Sequence, residues 1–259
     1  MLQSSKNIIS RRNFNTNLLS SLFTFSLVET LCSNELFAKP IHVIAKDWLV
    51  EVEEASQAMK KQQSKQSEWQ NKIAEIFARV EQKDLLRAID FDRLSQKIKL
   101  VGSHEGVIET KPPRSKSMPS ELSFDTFIYG MKKGGTIPPH SHRNMTSMHM
   151  PIAGTSHGWH FDRLADEADH LIIKPTLDNA LTLGEVTTVS DQKNNVHWFE
   201  ATSDVAYMFN ILVMDVDPAS KTGGRQFYVD AAHGDKVEGD KLRVKKLSSE
   251  EAHKIYGKS

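Results

Sequence analysis

The residues best suited to chemistry are three histidines in two separate segments. His140-Ser-His142 follows a Gly-Gly-Thr-Ile-Pro-Pro run, and His197 lies far downstream in the segment Asn195-Val-His-Trp-Phe. Alternate side chains of a strand share a face, so His140 and His142 point the same way, and His197 can add a third ring nitrogen from another strand. Three neutral imidazoles suit a divalent transition metal that keeps open positions. A solvent-facing strand with two histidines is the alternative, because His-x-His alone is a weak motif.

The residues after the first pair extend this pattern. Met145 lies three positions past His142, and Gly154 closes the segment. This spacing resembles the first metal motif of cupins, and more narrowly that of the 2-aminoethanethiol dioxygenase and plant cysteine oxidase family, in which a Gly closes the hairpin. Ordinary cupins add a Glu ligand a few residues after the pair. Thr146 and Ser147 stand there in this chain, which favours a three-histidine site without a carboxylate.

The second segment is similar to the family's Asn-x-His segment, in which His197 matches the third ligand. An apolar run over Val205–Met214 follows, and then a Gly-Arg-x-x-Tyr element from Gly224, as in the family. The resemblance covers about residues 96–232. It implies a mainly β cupin fold, a double-stranded β-helix or jelly-roll barrel. It also implies iron(II), Fe(2+), held by the three histidines, and oxidation by O2 of a small thiol or an N-terminal-cysteine peptide to a sulfinate.

One departure from the family leaves the substrate open. The family's usual Pro-Pro-Tyr stretch reads Asp215-Val-Asp217-Pro218 in this chain. Histidines alone do not select iron, since manganese, nickel, copper and zinc also bind them. Two other functions therefore stay open. One is another metal-dependent cupin enzyme, an oxygenase or an isomerase; the other is a periplasmic cupin that binds a metal or small molecule without turnover.

Several other side chains are candidates for contact with a bound ligand. Tyr207 and Tyr228 can donate a hydrogen bond to dioxygen or thiolate, and Trp198 directly follows a proposed metal ligand. A place in the core is the alternative for each of these three. Arginine binds a carboxylate as a two-pronged donor. The arginines that are candidates for this role, with a surface position as the alternative, are Arg143, Arg163 and Arg225.

Three further histidines lie close behind the first pair. His149 is seven positions past His142, an odd offset, so simple alternation places it on the opposite face unless a bulge intervenes. The spacing of His157 and His160 likewise keeps them off one shared strand face. We predict that all three pack around the site or orient its ligands, and do not bind the metal themselves.

Length and charge are consistent with one globular domain that carries an accessory segment. The chain has 259 residues, with 33 Lys and Arg against 33 Asp and Glu. No net field therefore favours nucleic acid or an acidic membrane. We predict a helical extension over residues 39–95, the cupin barrel over 96–247 and a short C-terminal helix over 248–259.

Apolar residues at helical spacing predict helix through residues 46–95. The stretch 60–70 is very polar and free of Gly and Pro, which indicates an exposed helical surface. We expect these helices to pack on the outside of the barrel; a partner-binding helix is the alternative. A capping-box pattern from Ser248 to Glu251 predicts the terminal helix, with cover of a sheet edge as its role.

From Lys97 onward, short apolar runs separated by Gly, Pro, Asn and Asp predict the short strands of a sandwich or small barrel. The predicted strands are residues 98–101, 107–110, 122–131, 146–152, 156–161, 181–189, 195–201, 205–214 and 226–231.

The N-terminal segment has the pattern of an export signal. Ser10-Arg-Arg-Asn-Phe14 matches the twin-arginine motif, and residues 18–28 form an apolar stretch too short and interrupted for a stable membrane anchor. We expect residues 1–38 to be a signal peptide read by the twin-arginine (Tat) translocon, which delivers the protein to the periplasm. A flexible basic N-terminus is the alternative. Cys32 is the only cysteine, so the exported chain would contain no disulfide.

Overall fold

The computed structural model describes residues 41–100, 105–114, 116, 118–220 and 223–257. The predicted export signal lies outside these residues. The chain divides into two compact units, Met1–Val43 and Ile44–Ser259. Of the first unit the structure describes residues 41–43, and all of the described strands belong to the second unit. None of the helices in the described ranges combines the length and apolar character that a membrane crossing requires.

Four helices precede the strands in the described chain. They are α1 (Ile41–Lys60), α2 (Gln66–Phe77), α3 (Gln82–Ala88) and α4 (Phe91–Ser95).

A turn between α1 and α2 breaks the helix predicted through residues 60–70. Gln62 has a φ of 59°, and its side-chain amide donates to the carbonyl of Met59 at 3.2 Å and to that of Val216 at 2.6 Å. The bond to Val216 spans 154 positions of the chain. A distant contact therefore fixes a turn that contains neither Gly nor Pro.

Twelve strands and a final helix follow in the rest of the described chain. They are β1 (Gly106–Glu109), β2 (Asp125–Lys132), β3 (Thr136–Arg143), β4 (Met145–Ala153), β5 (Ser156–Asp166), β6 (His170–Leu181), β7 (Thr187–Val189), β8 (Val196–Ala201), β9 (Val205–Met214), β10 (Gly224–Val229), β11 (Asp235–Lys236), β12 (Leu242–Leu247) and α5 (Ser249–Tyr256).

The strands form two antiparallel sheets with jelly-roll order. One sheet runs β1-β2-β9-β4-β7, and the other runs β10-β3-β8-β5-β6-β12-β11. From β2 to β9 consecutive strands alternate between the two sheets, except that β5 and β6 are neighbours in the second sheet. The segments β2-β9-β4-β7 and β3-β8-β5-β6 are therefore the two facing four-stranded sheets of a jelly roll. The predicted mainly β cupin barrel with an N-terminal helical extension is therefore confirmed.

Strand β3 is absent from the predicted strands because it contains Pro138 and Pro139. Proline cannot donate to the ladder and is found in strands mainly at edges and bulges. The pairing of β3 with β8 shifts register between Ile137 and His140, so both prolines lie within this irregularity. Strand β6 was missed for a similar reason, since Pro175 lies where the register with β5 shifts.

Two other strand predictions need correction. The predicted strand over residues 181–189 is the end of β6 at Leu181 and the separate strand β7 from Thr187. In the predicted strand over 98–101, residues 98–100 are irregular, and Val101 lies outside the described residues.

The helices pack against one face of the five-stranded sheet, as expected. A single buried cluster joins Trp48 of α1 and Ile73 of α2 to Met148 of β4 and Phe209 of β9. Strand β4 is buried along almost its whole length, since alternate residues face the helices and the barrel interior. The helical extension therefore shares a core with the sheet.

Helix α5 begins with the predicted capping box. The Ser248 hydroxyl accepts from the Glu251 amide at 3.1 Å, and the Glu251 carboxylate accepts from the Ser248 amide at 2.8 Å. At its other end, the Tyr256 hydroxyl donates to Asp230 at 2.9 Å. The Thr136 hydroxyl donates to the Tyr256 carbonyl at 3.0 Å. These bonds hold α5 beside β3 and β10.

Candidate metal centre

Three histidine side chains converge inside the barrel. Strand β3 supplies His140 and His142, and the adjacent antiparallel strand β8 supplies His197, which pairs directly opposite His140. One ring nitrogen from each lies within 4.8 Å of the others, and all three residues are buried. The structure thus brings together the three histidines that the sequence singles out as metal ligands.

The hydrogen bonds of these histidines leave nitrogens free for a metal ion. His140 Nδ1 lies 2.7 Å from the Pro138 carbonyl oxygen. Because a carbonyl only accepts, Nδ1 carries the proton and Nε2 keeps its lone pair. Among the described residues, Nδ1 of His197 has no hydrogen-bond partner. Buried polar atoms without partners are rare, and a divalent metal ion would bind one nitrogen lone pair of each ring.

Burial keeps the three imidazoles neutral. Desolvation is the main reason that the pKa values of His140 and His197 lie well below 6.5, and that the pKa of His142 falls to about 3. The positive charge of Arg225 lowers the pKa of His140 and His142 further. Metals bind the neutral imidazole, so at neutral pH these side chains are in the form that binds a metal.

A cavity of about 310 Å³ opens beside the three histidines. Both sheets contribute to its wall, and none of the described residues that line it is an Asp or Glu. The lining residues are Tyr129, Ile137, His140, His142, Met145, Ser147, His149, His197, Asn210, Leu212, Met214, Gly224 and Arg225.

The two residues at the glutamate positions of ordinary cupins point in different directions. Ser147 lines the cavity, and its buried hydroxyl has no partner in the described part of the chain. Thr146 is turned away, and its hydroxyl donates to the Val189 carbonyl at 2.7 Å. The residue that faces the site is therefore a serine, which carries no charge.

His149 faces the cavity, which corrects the prediction from simple alternation. Its ring centroid lies 5.0 Å from that of His197. The chain turns at Asn144, where φ is 53°, and β4 belongs to the sheet opposite β3. The odd offset from His142 therefore does not run along one strand. Within β4 alternation does hold, since Ser147 and His149 both line the cavity.

His160 and His157 lie outside the cavity lining, as expected. His160 is fully buried 5.7 Å from the His197 ring, and burial lowers its pKa to about 3. The His157 side chain is 29% exposed, with Nε2 2.6 Å from an Asp178 carboxylate oxygen. Its ring stacks on Trp159 at 4.1 Å.

Trp198 and Tyr207 also lie outside the cavity lining. Trp198 follows His197 directly, so its side chain faces the other side of β8. There it stacks on Trp159 at 4.4 Å and on Phe161 at 5.6 Å. Tyr207 of β9 packs edge-on against Phe91 of α4 at 5.3 Å. The predicted ligand contacts of Trp198 and Tyr207 do not agree with these positions.

Tyr228 and Arg225 form a pair at the edge of the site. The Tyr228 ring lies 6.2 Å from that of His140, and its hydroxyl accepts a hydrogen bond from Arg225. Arg225 lines the cavity, whereas Tyr228 does not. Tyr129 of β2 also lines the cavity and is a residue that the sequence argument missed; burial raises the pKa of its phenol.

No protein-family model matches the chain, and no curated protein matches it. Among solved structures, a recombinant oxalate oxidase in complex with glycolate is 18% identical over 45% of this chain and 54% of that chain, with a TM-score of 0.32. The Cnp3 cupin domain of Schizosaccharomyces pombe is 10% identical over 47% and 72%, with a TM-score of 0.32. Procruciferin from Brassica napus is 10% identical over 36% and 21%, with a TM-score of 0.29. The cupin assignment rests on the strand order of this chain.

Proposed function

We propose that the protein is an iron(II)-dependent dioxygenase that oxidises a thiol to a sulfinate. The observation that carries the proposal is the cluster of three buried, neutral histidines beside a cavity whose described lining contains no carboxylate. Such ligands leave the full charge of a divalent ion in place and leave coordination positions open. A metal ion of this kind stabilises a bound thiolate. The family resemblance of the two histidine segments supports the same reaction.

The protein's part in this reaction is to hold and shield the reactants. His140, His142 and His197 would hold iron(II), which supplies the one-electron chemistry that dioxygen requires. The Pro138 carbonyl fixes the ring of His140. The apolar side chains that limit water in the cavity are Ile137, Met145, Leu212 and Met214.

The proposed reaction balances without a further reductant. Both atoms of O2 become bonded to the sulfur of the thiol, and the S–H bond is lost as a proton. Sulfur gives up four electrons, and the same four electrons reduce dioxygen. One sulfinate should therefore form for each O2 consumed.

Oxygen uptake by iron-loaded protein tests this proposal. We expect consumption of O2 only with a suitable thiol, in a screen of cysteine, cysteamine, mercapto acids and N-terminal-cysteine peptides. Mass spectrometry after reaction under ¹⁸O₂ should find two labelled atoms in the sulfinate. Zinc-loaded protein is the matched control, because zinc is redox-inert. If no thiol stimulates oxygen uptake, the dioxygenase proposal fails and a binding cupin or another cupin enzyme takes its place.

We further propose that the protein reaches the periplasm through the twin-arginine translocon. The support is the motif around Arg11 and Arg12 in front of an apolar stretch. A receptor reads this motif by residue identity and not by charge alone. A reporter fused to residues 1–38 should therefore stay in the cytoplasm after Arg11→Lys with Arg12→Lys, whereas Lys6→Arg should leave export intact. Periplasmic delivery of the double variant at the normal level would contradict the proposal.

A further inference from the structure

Among the described residues, the wall of the cavity carries one fixed cation and no anion. Arg225 lines the cavity and pairs opposite His142 across β10 and β3. No carboxylate of the described residues forms an ion pair with its guanidinium, and none lies in the cavity wall. An arginine in such a position, with its donors available, is a binding site for an anionic group.

The guanidinium of Arg225 is held in place at the edge of the site. It donates a hydrogen bond to the Tyr228 hydroxyl and lies 5.0 Å from the centre of the Tyr228 ring. That ring in turn lies 6.2 Å from the ring of His140. One of the five guanidinium N–H donors is occupied by the tyrosine, which leaves others for a ligand. The tyrosine thus positions the arginine close to the three histidines.

Arg225 lines the cavity, and the other two candidate arginines do not. Arg163 donates to the Gln226 side chain at 2.5 Å and does not line the cavity. Arg143 is exposed, as Arg225 is, but it does not line the cavity. Among the described residues, Arg225 is therefore the arginine placed to contact a ligand that also reaches the histidines.

The charges of the loaded site favour an anionic ligand. Three neutral histidines would leave the two positive charges of a divalent ion uncompensated, and Arg225 adds a third positive charge. The buried charge of the metal ion is unfavourable without a counter-charge. Arg225 is exposed, so it attracts an anion through its hydrogen-bond donors and not through a cost of burial. A thiolate would supply one negative charge at the ion. A carboxylate is the second group that fits, because its two oxygens match the guanidinium fork.

We infer that the substrate is a small mercapto-carboxylate, with the thiolate at the three-histidine metal and the carboxylate on Arg225. The inference rests on the proposed thiol oxidation and deepens it. A volume of about 310 Å³ is at the lower end of the range for small-molecule sites. The same positive wall would disfavour a thiol with a cationic ammonium group, such as cysteamine or the free N-terminus of a cysteine-initiated peptide.

Three thiols of similar size test this inference. 3-Mercaptopropionate, 2-mercaptoethanol and cysteamine carry a carboxylate, a hydroxyl and an ammonium group at the end remote from sulfur. Calorimetric titration of the zinc-loaded protein measures their binding without oxidation of the thiol by the metal. We expect 3-mercaptopropionate to bind about 10- to 100-fold more tightly than the other two, the range of a hydrogen bond to a charged group.

Replacement of Arg225 should remove this preference. In Arg225→Gln the dissociation constant of 3-mercaptopropionate should rise by about 10- to 100-fold, while that of 2-mercaptoethanol stays unchanged. Arg163→Gln is the matched control, since it removes a nearby positive charge that does not line the cavity; it should retain the preference. Zinc content and circular dichroism of both variants should equal those of the natural protein.

The outcomes distinguish failure of the mercapto-carboxylate inference from failure of the thiol proposal. Similar affinities for the three thiols, tighter binding of cysteamine, or a carboxylate preference that survives Arg225→Gln would each overturn the mercapto-carboxylate inference and leave the thiol proposal intact. Failure of every thiol to bind the metal-loaded protein would overturn the thiol proposal, and the inference with it.

Discussion

Metal content should fall to background when any one of His140, His142 and His197 is replaced by alanine. The three side chains offer converging nitrogens within 4.8 Å of one another. If the roughly 10–16 kcal/mol of a protein zinc site is shared among three or four ligands, one ligand is worth about 3–5 kcal/mol. That loss weakens binding by at least about 100-fold. Competition of each variant with a metal chelator of known affinity measures the change.

The structure provides matched controls for this result. His157→Ala removes a histidine that pairs with Asp178 on the outside of the barrel, so metal affinity should not change. His149→Ala removes a cavity residue whose nitrogens do not join the three-histidine group, and it should cost no more than about 10- to 100-fold, as for residues around the ligands. Circular dichroism should show that each variant folds. Normal metal affinity in all three ligand variants would refute the assignment.

Local rules predicted those parts of the site that lie within a single strand. His140 and His142 share a face because they are two residues apart on β3. The same rule placed His149 wrongly, since Asn144 turns the chain from one sheet to the other. Alternation counts along one strand and not across a connection, so a correct prediction required the position of the turn.

The pairing of distant strands is not contained in a local pattern. His197 could be assigned to the site by family resemblance, but its position opposite His140 depends on the adjacency of β3 and β8. Tyr129 was missed for a related reason. Alternation in β2 separates Ile128, which joins the helical core, from Tyr129. Alternation alone does not predict that the face of β2 with Tyr129 lies toward the histidines.

The helix boundaries show the same limit. The polar stretch over residues 60–70 contains no helix-breaking residue, so propensity favours one continuous helix. The turn at Gln62 is held instead by its bond to the Val216 carbonyl. A single tertiary hydrogen bond from a polar side chain leaves no signal in apolar periodicity, which is the signal that located the helices.

The helical layer and the barrel should unfold together, and Phe77→Ala should show it. Phe77 of α2 is buried, and its ring lies 5.4 Å from Trp48 of α1 and 6.1 Å from Phe209 of β9. The side chain thus joins two helices to the central strand of the five-stranded sheet. Truncation of a buried phenylalanine costs about 3–5 kcal/mol, since the contacts are lost and a cavity remains. Urea unfolding followed by circular dichroism should show a free energy of unfolding lower by this amount.

Hydrogen exchange distinguishes a shared core from two independent parts. If the helices and the barrel form one cooperative unit, Phe77→Ala should accelerate exchange of the buried amides of β9 by the same free energy that urea unfolding reports. Ile255→Ala on α5 is the control, because Ile255 is 41% exposed and exposed substitutions usually change stability by less than about 0.5 kcal/mol. Unchanged protection of β9 in Phe77→Ala, together with selective loss of helix protection, would show that the barrel is stable without its helical layer.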